Sequence, residues 1–114
     1  MIKIKKKNPY QTFIDAYGEE AQLNMAIEEM SELTKAICKY KRYFKTADAK
    51  EKERLTSDII EETADVALNI EQLAYMFGKE KVEEMKDYKL QRGLAKAKSG
   101  LKENWYELWG VFKN

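Results

Sequence analysis

Apolar residues recur at three- and four-residue steps along most of this chain, which is the spacing of residues that share one face of an α-helix. The pattern is clearest between residues 19 and 43, where the first turn is acidic and the last is basic. Both charge biases complement the helix dipole. We therefore predict a long helix over residues 19–43, with the apolar stripe Leu23, Ala26, Ile27, Met30, Leu33 and Ile37.

Further helices are predicted on either side of this one. A short helix covers residues 10–17 before Gly18, and a second long helix runs from Ser57 or Asp58 to about Gly78. A third covers residues 79–98, and the polar segment 45–56 is predicted to connect the two long helices, with or without some helix of its own. The apolar positions of the second and third helices are Ile59, Val66, Ile70, Leu73, Val82, Met85 and Leu94.

The end of the chain carries an aromatic stripe, which predicts an amphipathic helix covered by the core or by another subunit. Only the first few residues show the period-two alternation of a strand, so the predicted fold class is all-α. We expect an antiparallel, four-helix-like bundle in one domain over residues 1–114, completed by oligomerisation because the core is small. Residues 1–17 form an N-terminal arm and residues 101–114 the amphipathic segment, with Trp105, Leu108, Trp109 and Phe112.

Composition excludes several kinds of site. Histidine is absent and Cys38 is the only cysteine, which excludes an intrachain disulfide, a Cys/His zinc site and a histidine-based catalytic triad. The formal net charge of +1 lacks the basic excess of a nucleic-acid binder, and the basic run at residues 2–7 is interpreted as a solvated arm. No membrane span or signal peptide is visible, so we expect a cytoplasmic protein.

Two acidic pairs differ from the others in their surroundings. Six pairs of acidic residues lie three positions apart, and most are expected on solvated helix faces. Glu29 and Glu32, and likewise Glu62 and Asp65, instead lie in the two most apolar helices, where lysine is sparse. Each pair shares one helix face, and facing pairs would repel each other unless a cation lay between them. Such an oxygen-only cluster suits Mg²⁺ or Mn²⁺, and the missing histidine disfavours a di-iron bundle.

The two acidic motifs, Glu-Glu-Met-Ser-Glu-Leu at residues 28–33 and Glu-Glu-Thr-Ala-Asp-Val at residues 61–66, resemble the signature of MazG-like nucleoside triphosphate pyrophosphohydrolases. Lys89 and Arg92 resemble the basic pair that often follows in this superfamily, which includes dimeric dUTPases and phosphoribosyl-ATP pyrophosphohydrolases. The similar part runs over residues 18–94. Glu32 and Glu62 are 30 positions apart, which is long for the family and fits an extended connection over residues 45–56.

The resemblance implies Mg²⁺-dependent cleavage of a nucleoside triphosphate into a monophosphate and pyrophosphate. It also implies a homodimer or homotetramer. The metal ligands carried over are Glu29, Glu32, Glu62 and Asp65, and the proton acceptor is Glu28, Glu29 or Glu61. Candidate substrate-binding residues are Lys39, Asn69, Lys89 and Arg92.

Two alternatives remain at the level of the sequence. The chain could be a non-enzymatic helical interaction protein that uses its aromatic stripe as a partner site and whose acids are surface charge. It could also be a dUTPase-like or phosphoribosyl-ATP-specific member of the same superfamily. A response of stability to Mg²⁺ separates the first alternative from an enzyme, because a ligand that binds only the folded state stabilises it.

Overall fold

The computed structural model describes residues 6–100, and this part of the chain contains four α-helices and no β-strand. The predicted all-α class is confirmed for these residues. The aromatic stripe predicted over residues 105–112 lies outside them. The helices are α1 (Pro9–Tyr17), α2 (Glu19–Tyr43), α3 (Ala49–Phe77) and α4 (Lys79–Lys98).

Local signals in the sequence explain where α1 and α2 begin. The side chain of Asn8 accepts a hydrogen bond from the Tyr10 backbone N–H at 2.9 Å, and Pro9 occupies the first helical position, which needs no N–H donor. Gly18 alone separates α1 from α2. Its φ of 90° is a conformation that residues with a side chain rarely adopt, so this glycine sets the direction of the chain between the helices.

Helix α3 begins earlier than predicted, at Ala49 rather than near Ser57, so residues 49–56 are helical and the connection is shorter than predicted. The Asp48 side chain caps the helix by accepting a hydrogen bond from the Glu51 backbone N–H at 2.8 Å. Leu55 is 3% exposed and anchors the added turns. The connection is a 3₁₀ turn over Phe44–Thr46 followed by two residues.

Helices α2 and α3 pack side by side as an antiparallel hairpin. Two contacts show the register: Glu29 lies beside Asp65 in the middle of the hairpin, and the Lys52 ammonium lies 5.3 Å from the centre of the Phe44 ring near the turn. The buried apolar residues are mostly small, which allows the helices to approach closely. Those in the described residues are Ala26, Ala36, Leu55 and Ala74.

Helix α1 is attached to α3 by polar and aromatic contacts. The Tyr10 hydroxyl donates to Glu71, and the Tyr75 hydroxyl donates to Gln11 at 2.7 Å. The two tyrosine rings lie with their centres 6.3 Å apart. No residue of α1 is buried, and its half-buried residues are Tyr10, Gln11 and Ile14.

Much of the predicted apolar stripe of α2 is open to solvent in the single chain. The side of α2 that holds Ala26 and Ala36 faces α3, whereas the neighbouring stripe has no cover among the described residues. Periodicity predicted the apolar face correctly but did not separate its covered half from its open half. The exposed members of the stripe are Ile27, Met30 and Ile37, with exposed fractions of 62%, 39% and 42%.

The described residues form two compact units, one ending at Lys79 with α1, α2 and α3, and one beginning at Glu80 with most of α4. Within α4, Val82 is half-buried, whereas Met85 and Leu94, two predicted core positions, are exposed. None of the described helices is long and apolar enough to cross a membrane.

Candidate metal site

Three carboxylates meet where α2 and α3 face each other. Glu29 comes from α2, while Glu62 and Asp65 lie three residues apart on α3 and therefore share one face of that helix. One oxygen of each lies within 4.8 Å of the others, and all three residues are half-buried. The antiparallel packing of the hairpin thus brings together one member of the first acidic motif and both members of the second.

The Glu62 carboxylate has an oxygen that lacks a partner. Its Oε2 atom is buried and accepts no hydrogen bond from the described residues. A buried oxygen without a donor loses its contacts with water and gains nothing in return, which disfavours the ionised form. The ionised form is stabilised at such a position when a cation lies next to the oxygen.

The pKa values of two members are raised. Desolvation raises the pKa of Glu29 most, followed by the charges of Asp65, Glu62 and Glu28. A hydrogen bond that only the protonated form of Glu29 can donate to Asp65 raises its pKa further. Desolvation is also the main cause of the raised pKa of Glu62, and repulsion from Asp65 is the next.

Further acidic residues surround these three. Every charge that shifts the pKa of Glu29 or Glu62 is negative, so acidic residues dominate the surroundings of the site. Hard divalent cations with oxygen ligands fit this donor set, which offers no nitrogen or sulfur. The surrounding carboxylates that raise the pKa of Glu29 or Glu62 are Glu28, Glu32, Asp58 and Glu61.

Glu32 is the predicted ligand that stands apart from the close cluster. Its charge raises the pKa of Glu62, which places it across the hairpin from that residue. However, it is exposed and is not one of the three residues whose oxygens lie within 4.8 Å of one another. Glu28 and Glu61, two predicted proton acceptors, are exposed beside the cluster.

The predicted substrate-binding residues occupy different parts of the chain. Asn69 is half-buried, and its side-chain nitrogen donates to the Asp65 backbone carbonyl at 2.8 Å, within α3 rather than to a neighbouring helix. Lys39 is exposed on α2, seven residues beyond Glu32. Lys89 and Arg92 lie on α4, in the other unit.

Two polar residues on the same side of α3 as Asp65 were not predicted as site residues from the sequence. The second long helix was predicted to begin at Ser57 or Asp58, but Asp58 lies inside α3 and raises the pKa of Glu62. Gln72 is 6% exposed, and its side-chain nitrogen has no hydrogen-bond partner in the described part of the chain. The available signal was the seven-residue spacing, because Asp58 and Gln72 lie seven residues before and after Asp65 and thus along one side of α3.

Comparison with known proteins identifies no relative of this chain. No protein-family model, curated protein or solved structure matches this chain.

Proposed function

We propose that this protein is a Mg²⁺-dependent nucleotide pyrophosphohydrolase of the MazG-like kind. The observation that supports the proposal most is the half-buried cluster of Glu29, Glu62 and Asp65, with oxygens from two facing helices within 4.8 Å. A second is the buried Glu62 oxygen that has no hydrogen-bond donor among the described residues. Both are features that a bound divalent cation would stabilise.

The residues of the hairpin would have two roles in hydrolysis, metal binding and proton acceptance. Glu29, Glu62 and Asp65 would hold Mg²⁺, with Glu32 completing the set, and the ion would neutralise phosphate charge and activate water. A water molecule adds to a phosphorus of the α–β anhydride, the bridging P–O bond breaks, and a carboxylate takes the proton of the water. Glu28 and Glu61 are exposed beside the cluster and, with Glu29, are the candidate proton acceptors.

The protein would act as a homo-oligomer in the cytoplasm. The exposed apolar stripe of α2 supports a homodimer or homotetramer in which a second copy covers Ile27, Met30 and Ile37 and completes an antiparallel bundle. Lys89 and Arg92 are assigned to phosphate binding by the resemblance alone, because they match the basic pair of the superfamily. The nucleotide base is left open, so a dUTPase-like or phosphoribosyl-ATP-specific enzyme belongs to the same proposal.

The test is release of pyrophosphate from a panel of canonical nucleoside triphosphates, with Mg²⁺ and then with excess chelator. Wild-type protein should release pyrophosphate and a monophosphate only with metal. Glu32→Gln and Asp65→Asn should abolish turnover while the helical circular dichroism is unchanged. Glu53→Gln is the matched control, because it removes an exposed carboxylate of α3 outside the cluster. Activity retained by Asp65→Asn would overturn the assignment.

One observation favours a second candidate, a non-enzymatic helical interaction protein. Apolar residues are exposed on both long helices, including Ile60 and Leu68 of α3 with exposed fractions of 65% and 57%. Such faces occur at binding surfaces. This candidate predicts no rise in melting temperature on addition of Mg²⁺, whereas the hydrolase predicts a rise.

A further inference from the structure

Charge is separated along the α2–α3 hairpin, and the balanced net charge of the chain conceals this separation. Residues 19–34 of α2 and 55–77 of α3 contain ten acidic residues and no basic one. Residues 35–54, which form the tip of the hairpin around the turn, contain eight basic and three acidic residues, a net charge of +5. The tip is therefore the part of the hairpin that attracts anions.

Aromatic side chains lie among the cations of the tip. The rings of Tyr40 and Phe44 are stacked with their centres 4.4 Å apart. The Lys52 ammonium, which α3 contributes, lies 5.3 Å from the centre of the Phe44 ring. Tyr40 and Phe44 are half-buried, so these contacts join the end of α2 to the start of α3 and hold the backbone on either side of Tyr43 in place.

Tyr43 is the exposed aromatic residue of the tip. It is the last residue of α2, and 48% of it is open to solvent in the single chain. The Arg42 guanidinium lies 5.8 Å from the centre of the Tyr43 ring. An exposed ring beside a flat guanidinium group is a surface on which an unpaired nucleobase stacks.

The cations that flank Tyr43 in the chain are available for phosphates. Arg42 and Lys45 are exposed, and neither forms an ion pair within 4.0 Å in the part of the chain that the structure describes. Arg54 at the start of α3 differs, because it is paired with Glu51 at 3.0 Å. Cations next to an exposed aromatic ring are the combination with which proteins bind single strands without reading their sequence.

We propose that the tip of the hairpin binds single-stranded nucleic acid, with an unpaired base stacked on Tyr43 and backbone phosphates bound by Arg42 and Lys45. A single strand fits better than a duplex, because bases in a duplex stack on each other and offer no free face. Lipid headgroups offer charge but no ring to stack. The surface is separate from the proposed metal site, since Tyr43 lies 14 residues after Glu29, roughly 21 Å along α2.

The test is fluorescence anisotropy of a labelled oligo(dT) strand of about 12 nucleotides with the full chain, in excess chelator and over a range of salt concentrations. Tyr43→Leu should weaken binding about tenfold at every salt concentration, because one stacking contact is lost. Arg42→Gln should instead reduce the dependence of binding on salt, because one phosphate contact is lost. The matched controls are Tyr17→Leu, at a 69% exposed tyrosine of α1, and Lys81→Gln, at an exposed lysine of α4.

The same strand paired with oligo(dA) should bind at least about tenfold more weakly than the single strand, because its bases are not free to stack. Equal binding of strand and duplex, or equal affinity of Tyr43→Leu and Tyr17→Leu, would overturn the inference. Binding to phosphatidylglycerol vesicles but not to the strand would assign the tip to a lipid surface and would overturn it as well. The chelator removes divalent metal from each assay, so failure here is distinct from failure of the proposed hydrolysis.

Discussion

At the scale of single residues, Asp65 has the widest influence on the acidic cluster. Its charge raises the pKa of both Glu29 and Glu62, and it forms the close group together with those two residues. Its backbone carbonyl accepts a hydrogen bond from Asn69, which ties the two residues together on α3. A substitution at this position therefore changes repulsion within the cluster and, under the proposed function, metal binding as well.

Asp65→Asn should separate these two effects. Without divalent metal the variant should melt at or above the wild-type temperature, because one source of repulsion is removed. With millimolar Mg²⁺ the wild type should gain stability and the variant should not. Thermal unfolding with and without Mg²⁺ measures both, and Asp87→Asn on α4 is the control. An Mg²⁺-dependent gain that survives in Asp65→Asn would contradict the site.

The raised pKa values predict how stability depends on pH in the absence of metal. Glu29 and Glu62 hold their protons more tightly in the folded state than in the unfolded state. Their contribution to the free energy of unfolding is therefore fully present below the ordinary glutamate pKa and is lost as the pH rises through the raised values. This direction is the reverse of that for a carboxylate in a salt bridge.

Urea unfolding across about pH 4 to 7 measures how the free energy of unfolding depends on pH. The contribution of all other titrating groups is removed by comparison with a variant that keeps them. The comparison is with the double variant Glu29→Gln/Glu62→Gln, which keeps every other acidic residue. The wild type should lose stability relative to the variant as the pH rises. Parallel pH profiles for the two proteins would show that the cluster does not contribute.

At the scale of helices, most boundaries follow from local signals. The predicted limits of α2 and α4 match the structure, because Gly18 and Gly78 end the preceding helices and charge marks the ends of α2. The start of α3 was missed because residues 49–56 are polar and look like a loop. What holds them in a helix is the Asp48 cap and the contact of Leu55 with the rest of the hairpin, and the second is not a local property.

Leu55→Ala should therefore be costly in spite of its polar neighbours. Leu55 is 3% exposed, and truncating such a leucine leaves a cavity that costs about 2–5 kcal/mol of the free energy of unfolding. Ile60→Ala is the control on the same helix, since Ile60 is 65% exposed. Chemical unfolding of both variants makes the comparison. A cost for Leu55→Ala no larger than that for Ile60→Ala would show that the first turns of α3 are not anchored.

At the scale of the whole molecule, the sequence predicted which residues share an apolar helix face but not what packs against that face. Helical periodicity places Ile27, Met30 and Ile37 on an apolar face. It does not indicate whether a helix of the same chain or of another chain packs against that face. The acidic site was more predictable. Apolar surroundings distinguished two acidic pairs, but register decided which member stays outside the close group, and that member is Glu32.

Ile27→Glu tests whether the exposed stripe is an interface between copies. In a monomer this change is tolerated, because the residue is 62% exposed, but in an oligomer it would bury an unpaired charge. Sedimentation over a range of protein concentrations should show an oligomer for wild type and a monomer for the variant. Ala21→Glu adds the same charge to α2 away from the stripe and should behave as wild type. A monomeric wild type would contradict the prediction.

The short connection between α2 and α3 has a consequence for the rate of folding. Two helices joined by five residues form their contacts locally, and proteins rich in local contacts fold fast. The carboxylates come together when this hairpin closes, and their repulsion opposes that step. If the transition state already contains the closed hairpin, Mg²⁺ should increase the refolding rate more than it slows unfolding. The ion would then promote folding of the hairpin in addition to its proposed role in hydrolysis.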